Sequence, residues 1–287
     1  MTDLLAPFAE FAFMRRALVG VIALAVAGGP VGVFLMLRRM SLTGDAMAHA
    51  ILPGAGLGYL VAGLSLPAMT IGGLAAGIVV AVLAGLVARV TALKEDASLA
   101  AFYLLSLALG VTLVSLRGSS VDLLHVLFGT VLALDDAALI LLAGIATVSL
   151  GVLALIYRPL VLDCVDPTFL RSVSRAGTPV HLVFLCLVVL NLVGGFQALG
   201  TLLAVGLMML PAAASRFWSA DVTVMIGLSV AIGIVSGVAG LLLSFHAELP
   251  AGPAVILAAG ALYLASLVLG REGGLLWQAW PGRHLEA

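Results

Sequence analysis

The sequence predicts an all-α, polytopic transmembrane bundle of about eight or nine spans, and three observations carry that expectation. Of 287 residues, 63% are hydrophobic and only 9% are charged, whereas a soluble domain holds about 25% charged residues. Too few polar side chains exist to cover a water-facing surface. The mean hydropathy is +1.27, and apolar runs of about 18 residues or more, each long enough for a hydrocarbon core of about 30 Å, recur along the whole chain. Gly, at 33 residues, suits helices that pack closely in lipid.

Helices are expected because a segment crossing lipid must satisfy its own backbone polar groups. The expected spans are 17–37, 44–63, 67–88, 98–116, 135–157, 179–197, 199–215, 221–244 and 252–270. A short interfacial helix over 4–14, with Phe8, Phe11 and Phe13, precedes them within an N-terminal segment 1–16. Acidic residues before the first basic pair make a poor signal peptide, so the first span is expected to be retained. The segment 121–133 is too short to cross and reads as re-entrant or surface helix. The pairs Gly28/Gly32, Gly54/Gly58, Gly73/Gly77 and Gly233/Gly237 read as packing contacts. The whole of 1–287 reads as one membrane domain, with a polar loop at 158–178 and a tail at 271–287.

Orientation follows from the basic residues. Arg38, Arg39, Arg89, Lys94, Arg158, Arg171, Arg175, Arg216, Arg271 and Arg283 fall in alternate loops, leaving Arg15, Arg16 and Arg117 on the other side. The positive-inside rule puts the first set in the cytoplasm, with the N-terminus outside and the C-terminus inside. The net charge of −1 comes with no basic stripe and so gives no sign of nucleic-acid binding. Cys164 and Cys186 flank no CxxC and read as thiols without a disulfide. Lys94 is the only lysine, and no Gly-Lys-Ser/Thr occurs, so the chain is not itself a P-loop ATPase. GxSxG and HExxH are also absent.

An ionisable residue inside a membrane is expensive and therefore a functional candidate. Asp45 and His49, at i and i+4, share one helix face, and carboxylate plus imidazole suits a borderline divalent cation such as Zn²⁺ or Mn²⁺. Pro53 follows and can break the helix, as at the midplane sites of transporters. The alternative is that Asp45 caps the helix and His49 bonds a neighbouring one. His246 and Glu248 fall in an expected outer loop and read either as ligands receiving metal from outside or as solvated residues. Asp122 and His125, at i and i+3, form a weaker pair that reads as structural or ligating. In 158–178, Asp166 can cap a short helix over 167–176 with Pro167 at its first position, and Gly177 can stop it. Such a helix, bearing Phe169, Arg171 and Arg175, would be a docking surface; the alternative is a solvated connector.

The stretch GVFLMLRRMSLTGDAMAHAILPGAGLG, from Gly32 to Gly58, resembles the hallmark of the metal-importer permeases of ABC family 3. Leu93-Lys94-Glu95-Asp96, the segment 122–129 and Asp166-Pro167 resemble further landmarks, as do 197–200, 210–214 and 249–254. The resemblance covers roughly 17–270. It implies the fold of an ABC-importer permease in a bacterial inner membrane and a homodimer of permeases. It also implies cytoplasmic ATPase subunits, a soluble metal-delivery protein outside, and Asp45 and His49 at the site of the transported metal. Zinc is favoured, from two His with acids and no Cys or Met cluster, with manganese or iron also within the family. A proton-coupled secondary metal transporter, with Asp45 and His49 as relay, is the alternative.

Overall fold

The computed structural model describes residues 6–63, 65–91, 95–115, 131, 134–166, 169 and 177–279, and among these it is helical with no strand. A short α1 (Ala6–Glu10) leads into α2 (Ala12–Leu37). Two short helices follow, α3 (Ser41–Ala50) and α4 (Leu52–Ala62), then α5 (Leu66–Val90) and α6 (Glu95–Ser115). The chain continues through α7 (Asp136–Val165), α8 (Gly177–Leu199), α9 (Thr201–Ser215), α10 (Val222–Ala247) and α11 (Ala251–Leu269), and closes with α12 (Leu275–Ala279).

Among the described residues, six helices are long and apolar enough to cross a membrane, within α2, α5, α7, α8, α10 and α11. The expected nine spans resolve into these six, the apolar helices α6 and α9, and one span split into α3 and α4. The ends are set by local chemistry. Asp135 accepts the Ala138 N–H at 2.8 Å to cap α7, and Asp221 accepts from Thr223 and Val224 to cap α10. Pro67 occupies the first turn of α5, where its missing donor is harmless.

The interior helices are α2 and α8, whose most apolar windows are 72% and 67% buried, against 28–33% for the other four long helices. One core joins Phe34, Met47, Phe184, Leu185 and Met208; a second joins Met14, Val21, Leu24, Leu203, Leu241 and Val255. The outer faces carry Leu155 and Ile140, 82% and 73% exposed, as a lipid-facing surface should. Lipid is as apolar as leucine, so helix association rests on close van der Waals contact. The glycine pairs supply it. A Cβ at Gly54 would lie 1.9 Å from the Gly72 carbonyl oxygen, and one at Gly32 equally close to that of Met208. Gly73/Gly77 and Gly233/Gly237 likewise face side chains of neighbouring helices, so all four pairs are packing surfaces.

Contacts between helix ends group them into two ends of the bundle. Phe11 with Phe245, Arg16 with Asp136 and Thr70 with Gln197 meet at one end. At the opposite, Arg-rich end, Tyr157 bonds Thr223, Trp218 donates to Ser266, and the Glu272 N–H donates to the Phe217 carbonyl.

Four expectations are corrected. The first span begins at Ala12, so Arg15 and Arg16 lie in its first turns; Arg16 reaches Asp136 at 3.0 Å and Arg15 bonds the Ala9 carbonyl. α7 does not stop at 157 but runs through Arg158 and Pro159 to Val165, because a membrane helix absorbs a proline where neighbours hold it. Gly177 begins α8 rather than ending a helix, with Pro179 in the first turn. His246 is helical, in the last turn of α10, and not in a loop. Both cysteines are free, as expected.

Candidate metal centre

Three residues link the end of α2 to α3, which presents Leu42, Asp45 and His49 on one stripe, at i, i+3 and i+7. Its opposite side, with Thr43, Gly44, Met47 and Ala50, is buried. Asp45 and His49 side chains are 67% and 27% exposed, and His49 Nε2 lies 3.9 Å from Asp45 Oδ1. The imidazole sits 6.2 Å from the Tyr103 ring of α6, inclined by 30°. Its Nδ1 is buried with no hydrogen-bond partner.

These facts weigh against both structural alternatives. The N-cap of α3 is Met40, with no side-chain cap, and Asp45 lies a turn farther in. His49 is not fastened to a neighbouring helix by a hydrogen bond: Nδ1 has no partner, and Nε2 faces Asp45 beyond hydrogen-bond distance. Two atoms bound to one tetrahedral ion at about 2.0–2.2 Å lie about 3.4 Å apart. Closing the observed gap by about half an ångström, within side-chain freedom, lets one cation bridge the pair.

The helix break sets the depth of this pair. α3 ends at Ala50, and Pro53, in the first turn of α4, has no N–H for the His49 carbonyl. Ser106 of α6 donates its hydroxyl to the Ala50 carbonyl at 2.9 Å, inside the bundle. Gly110 lets the α6 backbone approach the same break, since a Cβ there would meet Pro53 N at 3.0 Å. Asp45 lies in the second turn of α3, nearer its start than His49. His49 lies about 12 Å along the helix from Ser41 at 1.5 Å per residue, close to the middle of the broken span.

Among the described residues no third His, Cys, Asp or Glu joins the pair. His246 and Glu248 are exposed at the C-terminal end of α10, far along the chain from α3. His246 Nδ1 lies 2.9 Å from the Leu242 carbonyl, one turn back. Glu248 is the left-handed C-cap, φ 53°, of a helix end closed by the Ser244 hydroxyl on the Leu249 carbonyl. Both do helix-end work. His125 lies outside the described residues, as do Pro167, Arg171 and Arg175. Asp166 Oδ1 accepts the Phe169 N–H at 2.9 Å, the capping bond expected of it, and the Phe169 side chain is 52% exposed.

The sequence reading missed a second charged group. Arg38 is inside the bundle, paired with Asp163 of α7 and 2.8 Å from Nδ1 of His181 on α8. Arg38, expected in a loop, and His181 are both side chains of a half-buried polar cluster. The available signal was Asp163 itself, an acid one turn before the end of an apolar run.

The profile of the ABC 3 transport family matches residues 10–270. The chain belongs to the ABC 3 transport family. The manganese transport system membrane protein MntC of Halalkalibacterium halodurans is 30% identical over 276 residues, 96% of this chain and 93% of that protein. The manganese import system permease protein ScaB of Streptococcus parasanguinis is 30% identical over 269 residues, 94% and 95% of the two chains. The solved structure of PsaBC from Streptococcus pneumoniae in complex with Fab matches with a TM-score of 0.85 and 28% identity, covering 97% of this chain and 99% of that one.

The protein is therefore a multi-pass permease of the bacterial inner (cell) membrane and not itself an enzyme; in ABC transporters of this kind a separate ATPase hydrolyses ATP. The lean toward zinc has no support from these relatives, whose names specify manganese.

Proposed function

We propose that this permease carries Mn²⁺ into the cytoplasm, with Asp45 and His49 as cargo ligands. The observation that carries this reading is a carboxylate and an uncommitted imidazole one turn apart beside a break in a membrane helix. A carboxylate and an imidazole are acceptable ligands to Mn²⁺ as well as Zn²⁺, and the manganese names of the relatives support Mn²⁺. Membership of an ABC family favours ATP over a proton gradient as the energy source.

Two ligands do not complete a coordination shell. Asp45 also lies on an outward stripe with Leu42, which is 78% exposed, and a carboxylate cannot be left facing hydrocarbon. A second copy related by a two-fold axis would cover that stripe and double the pair to two carboxylates and two imidazoles. Waters would fill the remaining positions of a manganese shell. The segment 166–176 would dock the ATPase on the inner side, and a soluble metal-binding protein would deliver cargo outside. Alternating access then moves the ion past α3.

The test is Mn²⁺ uptake by cells or liposomes carrying the permease with its ATPase and binding protein. Asp45→Ala and His49→Ala should assemble normally and lose uptake. Wild-type uptake by both variants removes the pair from the pathway.

A further inference from the structure

We infer that Arg38 is a positioning residue that ties the ends of α7 and α8, which flank 166–176 in the chain, to the metal-bearing helix α3. The proposal rests on the reading above, in which that segment docks the ATPase and α3 holds the cargo.

One guanidinium touches both helices that flank the segment. Its Nη2 donates to Asp163 Oδ2, three residues before the chain leaves α7 for 166–176. The same nitrogen lies 2.8 Å from Nδ1 of His181, in the second turn of α8. The guanidinium carbon stands 5.3 Å from the ring centroid of Phe184, about one turn farther along. The side chains of Arg38 and Asp163 are only 11% and 7% exposed.

Arg38 is equally close to α3. It caps α2, and only Arg39 and Met40 separate it from Ser41. That connection is stiff. Arg38 N–H bonds the Phe34 carbonyl, Arg39 N–H bonds that of Met36, and Met40 N–H bonds that of Leu35, with Arg39 held at φ 59°. A displacement of the α7 and α8 ends therefore pulls on a side chain whose own backbone begins the lead into α3.

Stability alone does not account for the arrangement. A buried ion pair often gains nothing over well-packed apolar residues, and its better-attested use is to fix register. Nη1 of Arg38 is buried without a partner, so the fork holds a donor that is spare in this arrangement. Alternating access needs an element with two discrete arrangements that both ends bias. A guanidinium with one satisfied and one spare arm, at the junction of three helices, meets that need.

The experiment uses the full permease with its ATPase and Mn²⁺-loaded binding protein in liposomes, and reads Mn²⁺ taken up per ATP hydrolysed. Arg38→Met/Asp163→Leu removes both charges together and leaves none unpaired. It should assemble with the ATPase and hydrolyse ATP at close to the wild-type rate, while Mn²⁺ per ATP falls about tenfold or more. A wild-type ratio overturns the proposal, as does an equal fall in uptake and hydrolysis. Arg38→Lys keeps the charge but loses the planar fork. It should lower the ratio by about threefold, and if the double variant does not assemble, an unchanged ratio in Arg38→Lys overturns the proposal by itself. His49→Ala is run in parallel. Normal uptake by His49→Ala, or a wild-type permease that does not retain the ATPase, brings down the functional reading and this proposal with it. Normal coupling in the double variant, with those controls behaving as expected, brings down the role of Arg38 alone.

Discussion

Ser106 on α6 donates its hydroxyl to the carbonyl of Ala50, the last residue of α3, at 2.9 Å. That bond satisfies a backbone acceptor at the break between α3 and α4 and fixes the break against the helix that also carries Tyr103. Ser106→Ala leaves the carbonyl unpaired among apolar groups, at a cost of about 1 kcal/mol or somewhat more. The variant should unfold at a lower temperature in detergent and take up Mn²⁺ more slowly, because His49 loses its fixed position one residue away. Unaltered melting and uptake would show that the break holds itself.

The approach of α4 to α5 should tolerate no added atom. A Cβ on Gly54 would lie 1.9 Å from the Gly72 carbonyl oxygen, and nothing on a helix backbone can yield that far. Gly54→Ala is expected to cost at least about 1–3 kcal/mol through separation of the two helices and to lower the yield of folded protein sharply. Gly151→Ala, on α7 with open space around it, should be neutral or slightly stabilising. Equal yields of the two variants in size-exclusion profiles contradict the packing described.

Asp163 should matter far more than an ordinary helix-end acid. Asp163→Ala strands the Arg38 guanidinium at 11% exposure, a loss of about 3–5 kcal/mol. Arg38→Met/Asp163→Leu, which strands nothing, should recover most of that in thermal unfolding. Arg16 and Asp136 are the contrast, since their side chains are 46% and 75% exposed. Asp136→Ala should shift stability by about 1 kcal/mol or less.

Much of this architecture is legible along the chain because membrane burial writes itself into local composition. The span cores fall where the apolar runs fall, the glycine pairs mark close helix contacts, and Pro53 marks a break. Asp45 and His49 stand out because so few ionisable residues interrupt the apolar sequence. The helix ends were harder to read. Arg158 and Pro159 look like the start of a loop, yet α7 continues because Asp163 has a partner 125 residues away, Arg38. Gly177 looks like a stop and is a start, since Pro179 fits a first turn. His246 and Glu248, which read either as ligands or as solvated residues, fall on the last turn and the C-cap of α10, a helix end that their i, i+2 spacing does not reveal. Pairings such as Ser106 with Ala50 leave no local signature, because the donor and acceptor only meet once α6 lies against the break.

The most direct test is a Mn²⁺ electron-spin-echo measurement on the purified permease, which detects an imidazole nitrogen bonded to the ion. Coordination by His49 predicts a nitrogen modulation in the wild type that vanishes in His49→Ala, with bound Mn²⁺ reduced in Asp45→Ala. The same nitrogen signal in His49→Ala, at undiminished metal content, would contradict the central claim.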